Sequence, residues 1–185
     1  MHRDIEHVLF SEEDILKGIE ALAQEVTAEY TGRDWTVVSV LKGSCIFASD
    51  LVRRVPIPLE MAFVAARSYA DNTRPGELRV DFLPSEGEVE GRNLLLVDDI
   101  LDTGRTLSAL KAELLARGAL QVKTCVFLDK PARRELDLNP DFRVFEVANE
   151  FVVGYGLDFA GRYRNLPYVG TLKPSVFACA QGAGS

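Results

Sequence analysis

The sequence predicts an α/β fold with a central, mostly parallel sheet flanked by helices. Three observations lead there. Leu94-Leu95-Leu96-Val97 is short, continuous and apolar, as a central parallel strand requires. Strand-like and helix-like segments alternate along the chain, the pattern of βαβ units. At 185 residues and 47% apolar content, the chain is long enough to bury one core without disulfide staples.

The elements follow in order. Ser11 is a good N-cap with Asp14 at the capping-box position, and Ile15, Ile19, Leu22 and Val26 follow at helical spacing until Gly32. Trp35 to Leu41 is β-branched and mostly apolar and reads as a buried strand, with Trp35 in the core. Lys42-Gly43-Ser44 punctuates it, and a second helix runs to about Arg54. Leu59 to Val64 and about Glu77 to Leu83 are strand candidates flanking a polar loop, residues 67–76. Residues 84–93 read as a charged surface turn. After Leu94–Val97, the acidic residues and Asp102-Thr103-Gly104 end the strand. A helix with Leu107, Leu110 and Leu114 on one face then runs to Gly118. Val122 to Leu128 is the next strand. The remaining residues hold short strands and several glycines, which suit a sheet edge plus a small cap.

Composition narrows the function. The net charge of −7 argues against wholesale binding of nucleic acid or an anionic membrane. It leaves room for an anionic small molecule held by local cations and backbone amides. No run of about 18 apolar residues occurs, and the acidic start lacks the pattern of a secretory signal. Cys45, Cys125 and Cys179 are dispersed, which fits reduced thiols in a cytoplasmic protein. His2 and His7 are the only histidines, so a histidine-assisted hydrolase is a poor fit.

The strongest chemical signal is LLLVDDILDTGRTL, residues 94–107. In open α/β sheets, ligands bind beyond the carboxyl ends of strands, at helix N-termini. Here a strand runs into Asp98 and Asp99, and Asp102 to Thr106 lead into a helix. Amides, hydroxyls and the helix dipole form a phosphate cradle. Walker and dinucleotide glycine motifs are absent. Acids beside a phosphate need a ribose offering hydroxyls, or a magnesium ion. A ribose phosphate satisfies both halves of the motif.

VDDILDTGRTL resembles the phosphoribosyl-pyrophosphate signature of type I phosphoribosyltransferases. VLKGS (40–44) resembles the family's pyrophosphate loop, and RSY (67–69) the start of its flexible catalytic loop. FVVGYGLDFAGRYRNLPYVGTL (151–172) is similar to the purine-pocket motif of bacterial hypoxanthine–guanine phosphoribosyltransferases. The resemblance runs from about residue 5 to 173. It implies a type I phosphoribosyltransferase fold in a single domain, 1–185. The core would cover about 11–150 and a small hood would draw on the N-terminal residues and about 151–175, leaving a flexible tail, 178–185.

The resemblance also implies roles. Asp98 and Asp99 would meet the ribose hydroxyls, directly or through Mg²⁺, with Asp158 at a second magnesium. Asp102 would be the general acid or base at purine N7. Thr103, Gly104, Arg105 and Thr106 would bind the 5′-phosphate. Leu41, Lys42 and Gly43 would turn a backbone amide toward pyrophosphate across a cis Leu41–Lys42 peptide, helped by Arg164. Ser68 and Tyr69 would belong to the closing loop. Lys130 would donate to the purine 6-oxo group, Phe151 would stack on the base, and the Val152 backbone would meet its exocyclic position. Three positions depart from the family pattern: Asp98 where many relatives have Glu, Ser44 for a glycine, and Arg105 for Lys or Asn.

The expected activity is Mg²⁺-dependent purine salvage from phosphoribosyl pyrophosphate and a 6-oxopurine, by a cytoplasmic homodimer or homotetramer. Transfer to another base such as xanthine, and a non-catalytic nucleotide-binding regulator of the same fold, are the competing readings. Taken singly, Lys42, Lys130 and Arg164 also read as surface cations, and Phe151 as a core strand residue. Their joint order is what supports the site.

Overall fold

A computed structural model describes residues 1–68 and 78–177, with the side chains of Arg67, Ser68 and Leu78 left aside. Tyr69, most of the expected closing loop, Cys179 and the tail 178–185 lie outside the described residues.

The chain runs β1 (Ile5–Phe10), α1 (Glu12–Tyr30), β2 (Trp35–Leu41), α2 (Cys45–Val52), β3 (Glu60–Ser68), β4 (Leu78–Phe82), α3 (Glu86–Val89), β5 (Asn93–Leu101), α4 (Arg105–Ala116), β6 (Gln121–Asp129), β7 (Phe142–Glu146), β8 (Val152–Val153) and β9 (Val169–Leu172). Six strands form the main sheet in the order β4-β3-β2-β5-β6-β7. All its neighbouring pairs are parallel except β3 with β4. A second, antiparallel sheet of order β1-β9-β8 joins the two ends of the chain.

Strand β5 shows why the sheet is central. Leu94, Leu95, Leu96 and Val97 are all fully buried, because both faces are covered. Leu95 and Val97 join the core under α1 and α2, whereas Leu94 and Leu96 join the core under α4. Alternate side chains of a strand point to opposite faces, so one apolar run serves two layers. Helix α1 begins as expected, with both halves of the Ser11–Asp14 capping box formed and Ile15, Ile19, Leu22 and Val26 buried. Trp35 is a core residue: it stacks on Tyr30 at 4.3 Å between ring centroids, and its indole N–H donates to the Pro58 carbonyl at 2.9 Å.

Four local expectations need correction. Residues 5–10 form a strand that the sequence did not announce. Residues 84–93 hold the short helix α3, whose Ser85–Glu88 capping box replaces the expected surface turn. Strand β3 continues past Val64 to Ser68. Strand β5 does not stop at the acids: pairing with β6 carries it through Asp98 to Leu101, opposite Val126 to Asp129.

Strands β2 and β5 are adjacent, yet the chain leaves β2 toward β3 on one side and only later returns to β5 on the other. That is the topological switch point at which such sheets bind ligands. The turn leaving β2 is held from inside. Ser44 is fully buried, its hydroxyl donates to the Val40 carbonyl at 2.6 Å, and it lies 2.7 Å from the Ser39 hydroxyl. Removing one partner of a buried hydrogen bond costs about 1–3 kcal/mol. Ser44→Ala is therefore expected to lower the unfolding free energy by about that amount in a urea titration; an unchanged midpoint and slope would remove this role for Ser44.

Candidate active site

The carboxyl ends of β2 and β5 open onto a cavity of about 590 Å³. Its walls include Leu41, Lys42 and Gly43 after β2, Asp98 to Gly104 with Thr106 after β5, and Asp158 with Arg164 from the segment between β8 and β9. The Leu41–Lys42 peptide is cis, as the family resemblance implies.

Close approach of main chains shapes the floor. A Cβ on Gly43 would lie 1.6 Å from Asp99 Oδ2, and a Cβ on Gly156 would lie 2.1 Å from the Gly43 carbonyl oxygen. Only glycine permits both contacts. Thus Asp99 rests against the Gly43 turn, and Gly156 brings the Asp158 loop against the same turn.

Asp98 is buried, and the Asp99 amide donates to its carboxylate at 2.9 Å. Burial pushes the Asp98 carboxyl well above the usual carboxylate range, and the charge of Asp99 adds to the effect. Burial raises Asp99 too, against the opposing pull of its contact with Asp98 and of the Arg164 guanidinium. Two adjacent, desolvated acids are short of a cation. Among the described residues, no group of three or more His, Cys, Asp or Glu side chains could hold a metal by itself. Magnesium needs only one or two carboxylates when substrate oxygens complete its shell. Asp98 and Asp99 therefore fit an ion that arrives with a phosphorylated substrate. Asp158, the third expected ligand, is on the same cavity but pairs with Arg164 at 2.5 Å and accepts the Gly161 amide at 2.8 Å.

The turn after β5 presents main-chain donors. Gly104 takes φ +87° as the N-cap of α4, and no side chain caps that helix. The Arg105 amide reaches Thr103 Oγ1 at a long 3.4 Å. The first turn of α4 thus offers amides and a positive dipole end to an anion. The Arg105 side chain turns aside to Glu135 at 2.5 Å, so Arg105 contributes its main chain here.

Asp102 lies at the mouth of this turn. Its Oδ1 is buried without a hydrogen-bond partner, although Arg133 Nε stands 3.3 Å away. Lys130, Phe151 and Val152 do not line the cavity. Lys130 nevertheless follows β6 directly, and its amide donates to the Leu101 carbonyl at 3.0 Å, which places it beside the end of β5. Lys130 is buried, and burial lowers its ammonium pKa, while the charge of Asp102 works the other way. Val152 is buried. Phe151 is 48% exposed and meets Phe159 and Phe177 edge-on, at 5.6 and 5.5 Å between centroids. Ser68 closes β3, and Tyr69 beyond it lies outside the described residues.

The sequence reading passed over the segment 131–135. Arg134 donates to the Asp102 carbonyl at 3.2 Å and also bonds Asp129, which is buried and accepts from Arg143 as well. The Glu135 amide donates to the Thr103 carbonyl at 3.1 Å. This segment fastens the Asp102–Thr103 turn from outside. The charged run Arg133-Arg134-Glu135 was its only sequence signal.

Comparison with known proteins places the geometry. Residues 9–160 match the phosphoribosyl transferase domain family. The chain is 45% identical over 178 residues to a hypoxanthine-guanine phosphoribosyltransferase of Bacillus subtilis (strain 168), covering 96% of this chain and 98% of that protein. It is 48% identical over 179 residues to the bifunctional protein TilS/HprT of Listeria monocytogenes, covering 96% of this chain but spanning only 28% of that longer protein. A crystal structure of a hypoxanthine phosphoribosyltransferase from Staphylococcus aureus superposes with a TM-score of 0.90 at 38% identity, covering 96% of each chain. With the fold and these likenesses in agreement, the chain belongs to the phosphoribosyl transferase domain family, in its hypoxanthine-guanine phosphoribosyltransferase branch.

Proposed function

We propose that this chain transfers the 5-phosphoribosyl group of phosphoribosyl pyrophosphate to N9 of hypoxanthine or guanine, giving IMP or GMP and pyrophosphate. The observation that carries the reading is the run Asp98–Thr106, bent from the end of β5 into the N-terminus of α4 and facing Lys42, Gly43, Asp158 and Arg164 across one cavity.

In this reading the 5′-phosphate takes the amides and hydroxyls of Thr103 to Thr106. Asp98 and Asp99 hold the ribose hydroxyls. Pyrophosphate lies against the Leu41–Gly43 turn and Arg164. Arg164 already gives one donor to Asp158 and another to the Gly156 carbonyl, at 2.5 Å each. A guanidinium carries five N–H groups, so others remain for an anion. Asp98 and Asp99 would hold a magnesium ion together with the donor, with Asp158 on the same cavity, and the ion would supply charge neutralisation for the leaving pyrophosphate. Positive charge develops on the ribose in an oxocarbenium-like transition state, as in glycosyl transfer generally. Phe151 offers its exposed ring to the base, Lys130 faces the 6-oxo group, and the Val152 main chain meets the exocyclic edge. Asp102 moves the proton at N7; its unpartnered Oδ1 suits a group that takes its partner from the substrate. A cytoplasmic setting and a homodimer or homotetramer complete the proposal.

Three experiments test this reading. Asp102→Asn is expected to lower kcat by roughly 10²–10⁴ while donor binding is kept; a kcat within about threefold of the parent would take Asp102 out of proton transfer. Excess EDTA is expected to abolish turnover and added Mg²⁺ to restore it; full activity in EDTA would reject the metal-assisted leaving group. For the base, a lysine has donors and no acceptor, so it bonds the 6-oxo group but meets another donor in adenine. Discrimination against adenine of about 10³ or more in kcat/KM is expected. Lys130→Ala should hurt hypoxanthine and guanine far more than residual adenine turnover, and an equal loss on every base would show that Lys130 does not read position 6.

A further inference from the structure

Two adjacent arginines treat Asp102 differently. Arg134 binds its main-chain carbonyl, at 3.2 Å, and fastens the turn. Arg133 stands 3.3 Å from its carboxylate. Pro131 to Arg133 form a single 3-10 turn that starts from Lys130, and the Arg133 amide donates to the Lys130 carbonyl at 3.2 Å. Lys130 immediately precedes the turn, so the two cations leave the same short segment. Lys130 is tied beside Asp102 by the bond of its amide to the Leu101 carbonyl at 3.0 Å, and the charge of Asp102 favours its ammonium while that of Arg133 opposes it.

The charge of Asp102 attracts the Lys130 ammonium. The attraction between a buried ammonium and a nearby carboxylate exceeds that between exposed groups, because less solvent screens it. A closed Lys130–Asp102 pair would disable both groups at once. The ammonium would be spent on the acid instead of the base, and the carboxylate would hold a permanent partner. Among the described residues Lys130 makes no ion pair, whereas Asp102 Oδ1 is met by Arg133.

We infer that Arg133 is a positioning residue that occupies Asp102 in the resting site and so keeps the Lys130 ammonium free for the purine base. The contact is suited to that task. Arg133 is half exposed, and its Nε approaches Oδ1 without forming a hydrogen bond, so the base can take the acid over at little cost. The inference rests on the proposed roles of Lys130 and Asp102.

The test is a double-mutant cycle on the full chain, with steady-state kinetics for hypoxanthine and for phosphoribosyl pyrophosphate. Arg133→Gln is expected to raise the KM for hypoxanthine by about tenfold, with the KM for phosphoribosyl pyrophosphate kept within about twofold, on the scale of a modest electrostatic contact. Arg133→Lys, which keeps the cation, should recover most of the loss. In a Lys130→Ala background, Arg133→Gln should have almost no further effect, because no ammonium remains to be released. Melting temperatures of all five proteins separate loss of fold from loss of positioning. An equal, additive loss in both backgrounds, a rise in both KM values together, or no rescue by lysine would each overturn the inference. A parent chain that turns over neither hypoxanthine nor guanine would instead overturn the proposed function. Parent turnover with an unchanged Arg133→Gln variant would sink this inference alone.

Discussion

The active end of the sheet depends on how closely the turns after β2 and β5 approach. Pairing between these strands ends at Ser39 opposite Val97, just before the site begins. Beyond that point the contact is made by Asp99 lying on Gly43, and by Gly156 lying on the other side of the same turn. Side chains at either glycine would drive apart three segments that are distant in sequence. The turn after β5, the Lys42 turn and the Asp158 loop share one cavity because two positions lack a Cβ. The buried Ser39–Ser44 pair acts on the same turn from below, by tying its main chain to the end of β2.

That closeness has an electrostatic consequence. Bringing Asp98 and Asp99 into the sheet interior removes water from two neighbouring carboxyls and disfavours their charge. Across the cavity, Arg164 offsets part of this for Asp99. The site is thus built for cations and hydroxyls on the β5 side and for anions at the start of α4, within a few residues of each other. In the proposed reading, a ribose flanked by phosphates presents that sequence of groups.

The side proposed to meet the base is organised differently. Lys130, Asp102 and Arg133 come from the ends of β6 and β5 and from the turn after β6. Arg134 bonds Asp129 and the Asp102 carbonyl, so one guanidinium ties the end of β6 to the end of β5. The aromatic platform is held separately: Phe159 and Phe177 contact each other at 5.2 Å and both touch Phe151. Phe159 immediately follows Asp158, which links the aromatic cluster to the cavity wall through a single peptide unit.

Features governed by neighbours in sequence were legible in advance. The Ser11–Asp14 cap, the apolar stripe of α1, the uncharged run of β5 and the DDxxDTGxT order all express interactions within a few residues. The acids and the phosphate cradle came from that order, and the other site residues from the family resemblance of the stretches around them. Contacts between distant residues decided the rest. Strand β1 exists because its partner β9 lies more than 150 residues away, and apart from Ile5 its own side chains are largely exposed and carry little periodic signal. β5 extends through its acids because β6 pairs with them, although an acid pair ordinarily marks the end of a strand. The pairings of Arg105 with Glu135, Arg133 with Asp102 and Arg164 with Asp158 follow from where three loops meet. Local propensity and motif spacing determine which groups a chain carries and roughly where its elements lie. Which acid meets which cation is a long-range, short-distance interaction, and only the folded arrangement of the loops decides it.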